Sequence, residues 1–386
     1  MDGRLSSFGD DLDFLERHTA TVVLRDPGGE ARVALCPALQ GRVATSTTAG
    51  AEGPSFGWLN RALLASRQLA PHMNAYGGED RFWLGPEGGQ FGLFFAPGVP
   101  QDLAHWYTPP PIDSEPFLLV EQGPDRARLH TSLRVVNASG TAFELDVERE
   151  VQLYAAEQTW QEAGAAPSHR VEVVGFETRN RITNRGHAPW LRETGLLSIW
   201  IAGTFAPSPA TIIVLPFRPG PDAELGPIVN DSYFGRVPAD RLVVAPRAIY
   251  FRGDGQQRGK IGVSPRRARP VLGSYDEHRR ALTLVTYTLP PGELPYVNAL
   301  WEHQREPYQG DVLNSYNDGP PAPGEKPLGP FYELESSSPA LALAPGEAAE
   351  HRHRTMHFVG APADLDPIAR AALGVGLAEI SAAFSG

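Results

Sequence analysis

Apolar and polar positions alternate in short runs along most of the chain. Phe117–Glu121, Ala127–Asn137, Ala142–Leu153 and Arg170–Asn184 each place apolar residues at every second position, with turn residues between the runs. That period of two belongs to half-buried strands. Thr21–Arg25 and Ala31–Leu35 flank Asp26-Pro27-Gly28-Gly29, which reads as a hairpin. Thr194–Phe205, Thr211–Leu215, Arg241–Phe251, Lys260–Val263, Leu282–Thr288, Phe331–Glu335 and Ala349–Val359 extend the series.

Helical spacing is rare. Residues 8–18 place Leu12 and Leu15 on one side and acids on the other, and Leu59–Ala65 reads as a brief helix. A C-terminal helix is expected over about 366–384, with Asp366 as cap, Pro367 in its first position and Ile368, Ala371, Ala372, Val375 and Ile380 on its apolar side. No repeat of fixed period is visible. The proline-rich Pro320–Pro330 reads as a loop over a cleft. The expectation is an all-β, large antiparallel β-sandwich, one domain over residues 1–386. Roughly 16–20 strands exceed what one open sheet tolerates, so two packed sheets are implied.

Composition sharpens this. Gly 40 and Pro 37 together make about a fifth of 386 residues, and they punctuate the whole chain as turns must. The formal charge of -11 and the lack of a long basic run argue against nucleic-acid binding. The apolar stretches are too short to span a bilayer, and the acidic N-terminus has no apolar run of signal length, so a cytoplasmic protein without a membrane partner is expected. The single cysteine, Cys36, lies in an apolar strand and reads as a buried, inert thiol. No Walker loop, GxSxG elbow or GxGxxG after a strand is present, and no cofactor is expected. Nothing in the pattern sets an oligomeric state.

The densest chemistry lies in His72–Phe95. Glu79, Asp80 and Arg81 stand in a row beside Phe82 and Trp83, with Glu87 beyond, between glycine pairs that allow sharp turns. Flat apolar faces beside charged groups suit a cleft for polar, ring-shaped molecules. The alternative is a buried Arg–carboxylate pair that pins strands together. Three further segments are polar and aromatic: Trp301–Gln304, the run from Gly310 to Gly319 with Asn314, Tyr316 and Asp318, and Phe331–Pro339. On an extended strand Glu333 and Glu335 share a face, about 7 Å apart at Cα. Such a pair can raise one pKa for acid/base work, or can sit on a solvated sheet face. His351 and His353 share a face of the last strand as a candidate metal pair, without an accompanying metal motif.

The strings FGDDLDFLERH, QGRVATST, SFGWLN, GGEDRFWLGPEGGQF, HWYTPPPID and GPFYELESSSP resemble an uncharacterised bacterial family over nearly the full length. That family in turn is similar to the galactose mutarotase-like superfamily of carbohydrate-processing β-supersandwich proteins. Aldose 1-epimerases resemble this chain at Gly41-Arg42, at Tyr76-Gly77-Gly78 and at Leu334-Glu335-Ser336-Ser337 with Pro339. The resemblance implies a small-molecule carbohydrate as ligand and Glu335 as general base. The family's mid-chain histidine has no counterpart in Gly195–Trp200, which leaves His72 or His105 to supply the acid. Substrate-binding candidates are then Glu79, Asp80, Arg81, Trp83, Glu87, Trp301, Asn314, Tyr316 and Asp318. Three readings stay open: a sugar epimerase, lyase or hydrolase; a non-catalytic carbohydrate-binding protein using the same cleft; and a metal-dependent enzyme centred on His351 and His353.

Overall fold

The alternating runs pair into two antiparallel sheets in a computed structural model that describes residues 6–385. In chain order the strands are β1 (Val22–Arg25), β2 (Arg32–Cys36), β3 (Arg42–Thr47), β4 (Gly78–Gly85), β5 (Leu118–Gln122), β6 (Arg126–Val136), β7 (Ala142–Leu153), β8 (Glu172–Asn184) and β9 (Ser198–Phe205). They continue with β10 (Thr211–Pro216), β11 (Leu242–Val244), β12 (Ala248–Arg252), β13 (Gly259–Val263), β14 (Val271–Asp276), β15 (Ala281–Tyr287), β16 (Leu313–Asn317), β17 (Tyr332–Ser337) and β18 (Ala348–Val359). An eight-stranded sheet runs β1-β2-β3-β4-β9-β17-β16-β13, and a ten-stranded sheet runs β11-β12-β10-β14-β15-β18-β8-β7-β6-β5. This is the all-β sandwich expected from the pattern.

The sheets meet through Leu129, Val147 and Phe176 of the larger and Phe82, Leu84, Ile199 and Ile201 of the smaller. On β6 and β7 the alternate positions face water and carry charge, so the period of two is plain there. Elsewhere both faces of a strand are covered. Trp160, Leu365, Ile368 and Leu373 pack on Val214, Leu284, Met356 and Phe358, outside the ten-stranded sheet. Met356 and Phe358 therefore turn outward to helices, and the histidine face of β18 turns inward to the other sheet. No helix among the described residues is long and apolar enough to cross a membrane.

Helix bounds differ at the C-terminus. The first helix spans Phe8–His18, capped by Ser7. The expected C-terminal helix is two pieces, Pro362–Leu373 and Leu377–Ala382. Pro362 takes the first turn, one turn earlier than expected, and Pro367 lies inside the helix. Asp366 is no cap: it accepts from Arg370 Nε at 2.7 Å and from the Leu377 amide at 2.8 Å. Gly374, with φ of 75°, ends the first piece. A helix at Ala156–Ala163 was hidden in a stretch that reads as meander; only Trp160 and Ala163 of its apolar residues beyond the N-terminal turn are buried, too few for a periodic signal.

A bulge in β4 decides where its charges go. Gly78 pairs with Thr204 and Arg81 with Ala202, so Glu79 and Asp80 together oppose Gly203. The extra residue breaks the alternation and turns both acids to the inside of the sandwich. Gly203 is needed there, because a Cβ would lie 2.3 Å from the Glu79 carbonyl oxygen. Glu79 accepts from Ser46 Oγ at 2.9 Å and sits 2.8 Å from His357 Nε2. Asp80 accepts from Arg149 Nη2 at 2.5 Å and from Thr178 Oγ1 at 2.7 Å. Arg149 and Asp80 pin the two sheets to each other.

Candidate functional site

Beyond the bulge the period of two resumes. Arg81 and Trp83 of β4 face away from the ten-stranded sheet. Trp200 of β9, Glu333 and Glu335 of β17, Tyr316 of β16 and Lys260 of β13 share that face. Arg81 and Glu335 both pair with Ala202, from opposite sides. Two inter-strand spacings put their Cα atoms about 10 Å apart. Loops carrying Pro71–Met73, Leu103–Trp106, Phe234, Trp301 and Asp318–Phe331 close over the face and leave a cavity of about 600 Å³. Asp318 closes the proline-rich loop, accepting from the Gly329 amide at 2.6 Å and from Tyr316 OH at 3.0 Å.

The floor of the cavity is charged. Arg81 Nη2 donates to Glu333 Oε1 at 3.3 Å, and its guanidinium carbon lies 3.4 Å from the centre of the Trp83 ring. Thr204 Oγ1 donates to the same carboxylate at 3.1 Å. Burial is the main influence on Glu333 and outweighs Arg81; with Glu335 nearby it raises the pKa to about 7. Glu335 is fully buried: Trp200 Nε1 donates to its Oε2 at 2.8 Å and Lys260 Nζ lies 3.3 Å from that atom. Its Oε1 has no partner among the described residues. Glu87 accepts from Trp106 Nε1 at 2.9 Å, with Lys260 at 3.9 Å, and burial raises its pKa. Burial opposes the charge on Lys260, yet Glu335, Glu87 and Glu333 together hold its pKa above the ordinary value. Such a floor can exchange a proton at Glu333 and offer fixed N–H donors beside flat aromatic faces.

The sequence-derived candidates divide. Arg81, Trp83, Glu87, Trp301, Tyr316, Asp318, Glu333 and His72 line the cavity. Glu335 lies beneath it, touching Trp200 and Lys260. Glu79 and Asp80 do not reach it, because the bulge turns them inward. His105 is half-buried outside the cavity lining and bound to Asp102 at 2.6 Å. Asn314 belongs to a neighbouring recess with Asp311 and Tyr233. His72 Nδ1 lies 2.6 Å from the Trp106 carbonyl oxygen, so it must donate there, which leaves Nε2 to accept. His351 and His353 are buried between the sheets, both against Ser336 Oγ, at 2.8 and 2.9 Å. Burial lowers their pKa values to about 3 and about 4. No group of three His, Cys, Asp or Glu among the described residues could hold a metal ion.

Lys260, Trp200, Trp106, Phe234 and Arg258 also line the cavity and were not among those candidates. Sequence signals existed for two of them, Trp200 and Lys260. Trp200 stands on the strand where the mutarotase resemblance calls for a histidine. Lys260 and Lys326 are the only lysines in a chain whose Lys+Arg total is 34, and both line this cavity.

A galactose mutarotase-like protein from Lactobacillus casei ATCC 334 matches with a TM-score of 0.50 at 9% identity, covering 88% of this chain and 100% of its own. A putative aldose 1-epimerase from Escherichia coli K12 is similar at 13% identity and a TM-score of 0.48, over 88% of this chain and 98% of its own. A putative mutarotase from Salmonella typhimurium gives 10% and 0.47, over 87% and 90%. A comparison with curated proteins found no match. The protein thus has the galactose mutarotase-like β-sandwich fold. Within that class it belongs to the family of unknown function DUF6786, whose profile matches residues 6–384.

Proposed function

We propose that the protein binds a small carbohydrate in this cavity and performs acid/base chemistry on it. The observation that carries the reading is Glu333: a carboxyl on the cavity floor with a pKa near 7, held between Arg81 and Thr204. Both of its protonation states are populated near neutrality, so it can take a proton from a sugar hydroxyl and return it. Lys260 keeps its proton and offers N–H groups to hydroxyl oxygens. Trp200 and Trp301 supply faces on which a sugar ring can stack. Glu333 replaces Glu335 as the proton-exchanging residue, because Glu335 is closed off beneath Trp200. Epimerisation at the anomeric carbon is the simplest such reaction and needs no co-reactant: as the anomeric hydroxyl loses its proton the ring C–O bond breaks and the ring oxygen is protonated, and re-closure on the other face reverses each transfer.

A second reading, a non-catalytic carbohydrate-binding protein, is favoured by one observation. Trp200 stands on the strand where an acid histidine was expected, and it ties up Glu335. The two readings separate on Glu333→Gln. Anomeric exchange of reducing sugars, followed by NMR, should be lost in the variant while sugar affinity stays within a few-fold. Arg81→Ala should weaken both. If Glu333→Gln alters affinity alone, or the unaltered protein exchanges no sugar that it binds, the non-catalytic reading stands.

A further inference from the structure

The cavity is built in two zones. Its floor comes from strands, with Glu87 on the loop just past β4, and carries Arg81, Glu87, Lys260 and Glu333, each at most 8% exposed. Its mouth comes from loops and carries apolar side chains from each, Pro71 and Met73 on one, Leu103 on a second, Pro321 and Leu328 on the proline-rich loop, with Lys326 beside them. Leu103 is 47% and Leu328 49% exposed. Single exposed leucines are ordinary, but these border one opening from separate loops, which is how a binding surface differs from scatter. Between the zones Phe234 stands edge-on to Trp301 and Tyr316, with ring centres 5.8 and 6.1 Å away.

The size points the same way. A cavity of about 600 Å³ falls mid-range among those that bury a drug-sized ligand, roughly 300–1,000 Å³. A single sugar ring is smaller than that. Resting on the charged floor, it leaves the mouth open and the leucines wet. Pro71, Met73, Leu103, Pro321 and Leu328 offer no side-chain donor to a second sugar's hydroxyls, and burying those unpaired is unfavourable.

We propose that the ligand is a glycoside with an aromatic aglycone, its sugar on the charged floor and its aryl group between Phe234 and the leucines of the mouth. This rests on the carbohydrate reading above and specifies the substrate class. The test uses the full chain and pairs of methyl and phenyl glycosides of common hexoses and pentoses, in both anomers. Phenol alone is the control, and affinity is read by calorimetry. The phenyl member of at least one pair should bind tenfold or more tightly than its methyl partner. Leu103→Asp and Leu328→Asp alter exposed positions, so the fold should hold, and each should bring the phenyl-to-methyl ratio toward one. Methyl and phenyl members binding equally, in every pair that binds, overturn the aglycone proposal and leave the carbohydrate reading intact. Phenol binding as tightly as any phenyl glycoside overturns the carbohydrate reading, and the proposal with it. So does a panel in which nothing binds.

Discussion

Asp80 and Arg81 are neighbours in sequence, and the pleat sends them to opposite sides of the sheet, while the bulge brings Glu79 to the side of Asp80. Replacing Asp80 by Asn tests that placement. Asp80 and Arg149 are both fully buried and 2.5 Å apart, and Asp80 is the acid paired with Arg149 among the described residues. The amide keeps the shape and removes the charge. Arg149 then retains Asn180 Oδ1 at 2.5 Å and the Gly41 carbonyl at 3.1 Å, but its charge is uncompensated. Removing one partner of a buried pair costs about 3–5 kcal/mol. That is a large part of a typical folding free energy of about 5–15 kcal/mol. Urea unfolding followed by tryptophan fluorescence should show the loss as a lower midpoint at unchanged slope. Asp80→Leu with Arg149→Met removes both charges and should recover most of it. Ligand affinity per folded molecule should stay the same. An Asp80→Asn protein as stable as the original within about 0.5 kcal/mol, but unable to bind ligand, would refute the inward placement.

Two buried groups bend the pH dependence of stability in opposite senses. Glu333 has its folded pKa raised from 4.5 to about 7, so its contribution is full below pH 4.5 and is lost as pH rises toward 7; Glu333→Gln should flatten that slope, by an amount on the order of 3 kcal/mol. His351 has its folded pKa lowered from 6.5 to about 3, so its contribution is full above pH 6.5 and is lost as pH falls through 3; in His351→Leu, urea midpoints should decline less steeply between pH 6.5 and 4. Unchanged slopes in either variant would contradict the assigned burial. Lys326 is exposed, whereas Lys260 is buried and held protonated. Acylation at pH 8, mapped by mass spectrometry, should label Lys326 at least about tenfold faster, because only the neutral amine reacts. Equal rates would undo the Lys260 environment described above.

What the sequence determined was local. Alternation at β6 and β7 identified strands, because one face there meets water and the other the core. The spacing of Glu333 and Glu335 set them on one face of their strand, since the pleat repeats every two residues. Lysine scarcity could have marked Lys260, without saying what it touches. The tertiary structure decided the rest. On β4, β9, β17 and β18 both faces are covered, so a period of two sorts residues into two sets without saying which set meets the cavity. The pleat turned Asp80 to the interior, and one inserted residue at the bulge took Glu79 there with it, away from the expected cleft. His351 and His353 were indistinguishable in pattern from a cleft-lining pair until the eight-stranded sheet covered them. Lys260 reaches Glu335 only because β16 and β17 set β13 beside the site, and β13 pairs with β16 between residues fifty or more positions apart. Such long-range register depends on which layers stack, and stacking is a property of the whole sandwich that no short stretch of chain encodes.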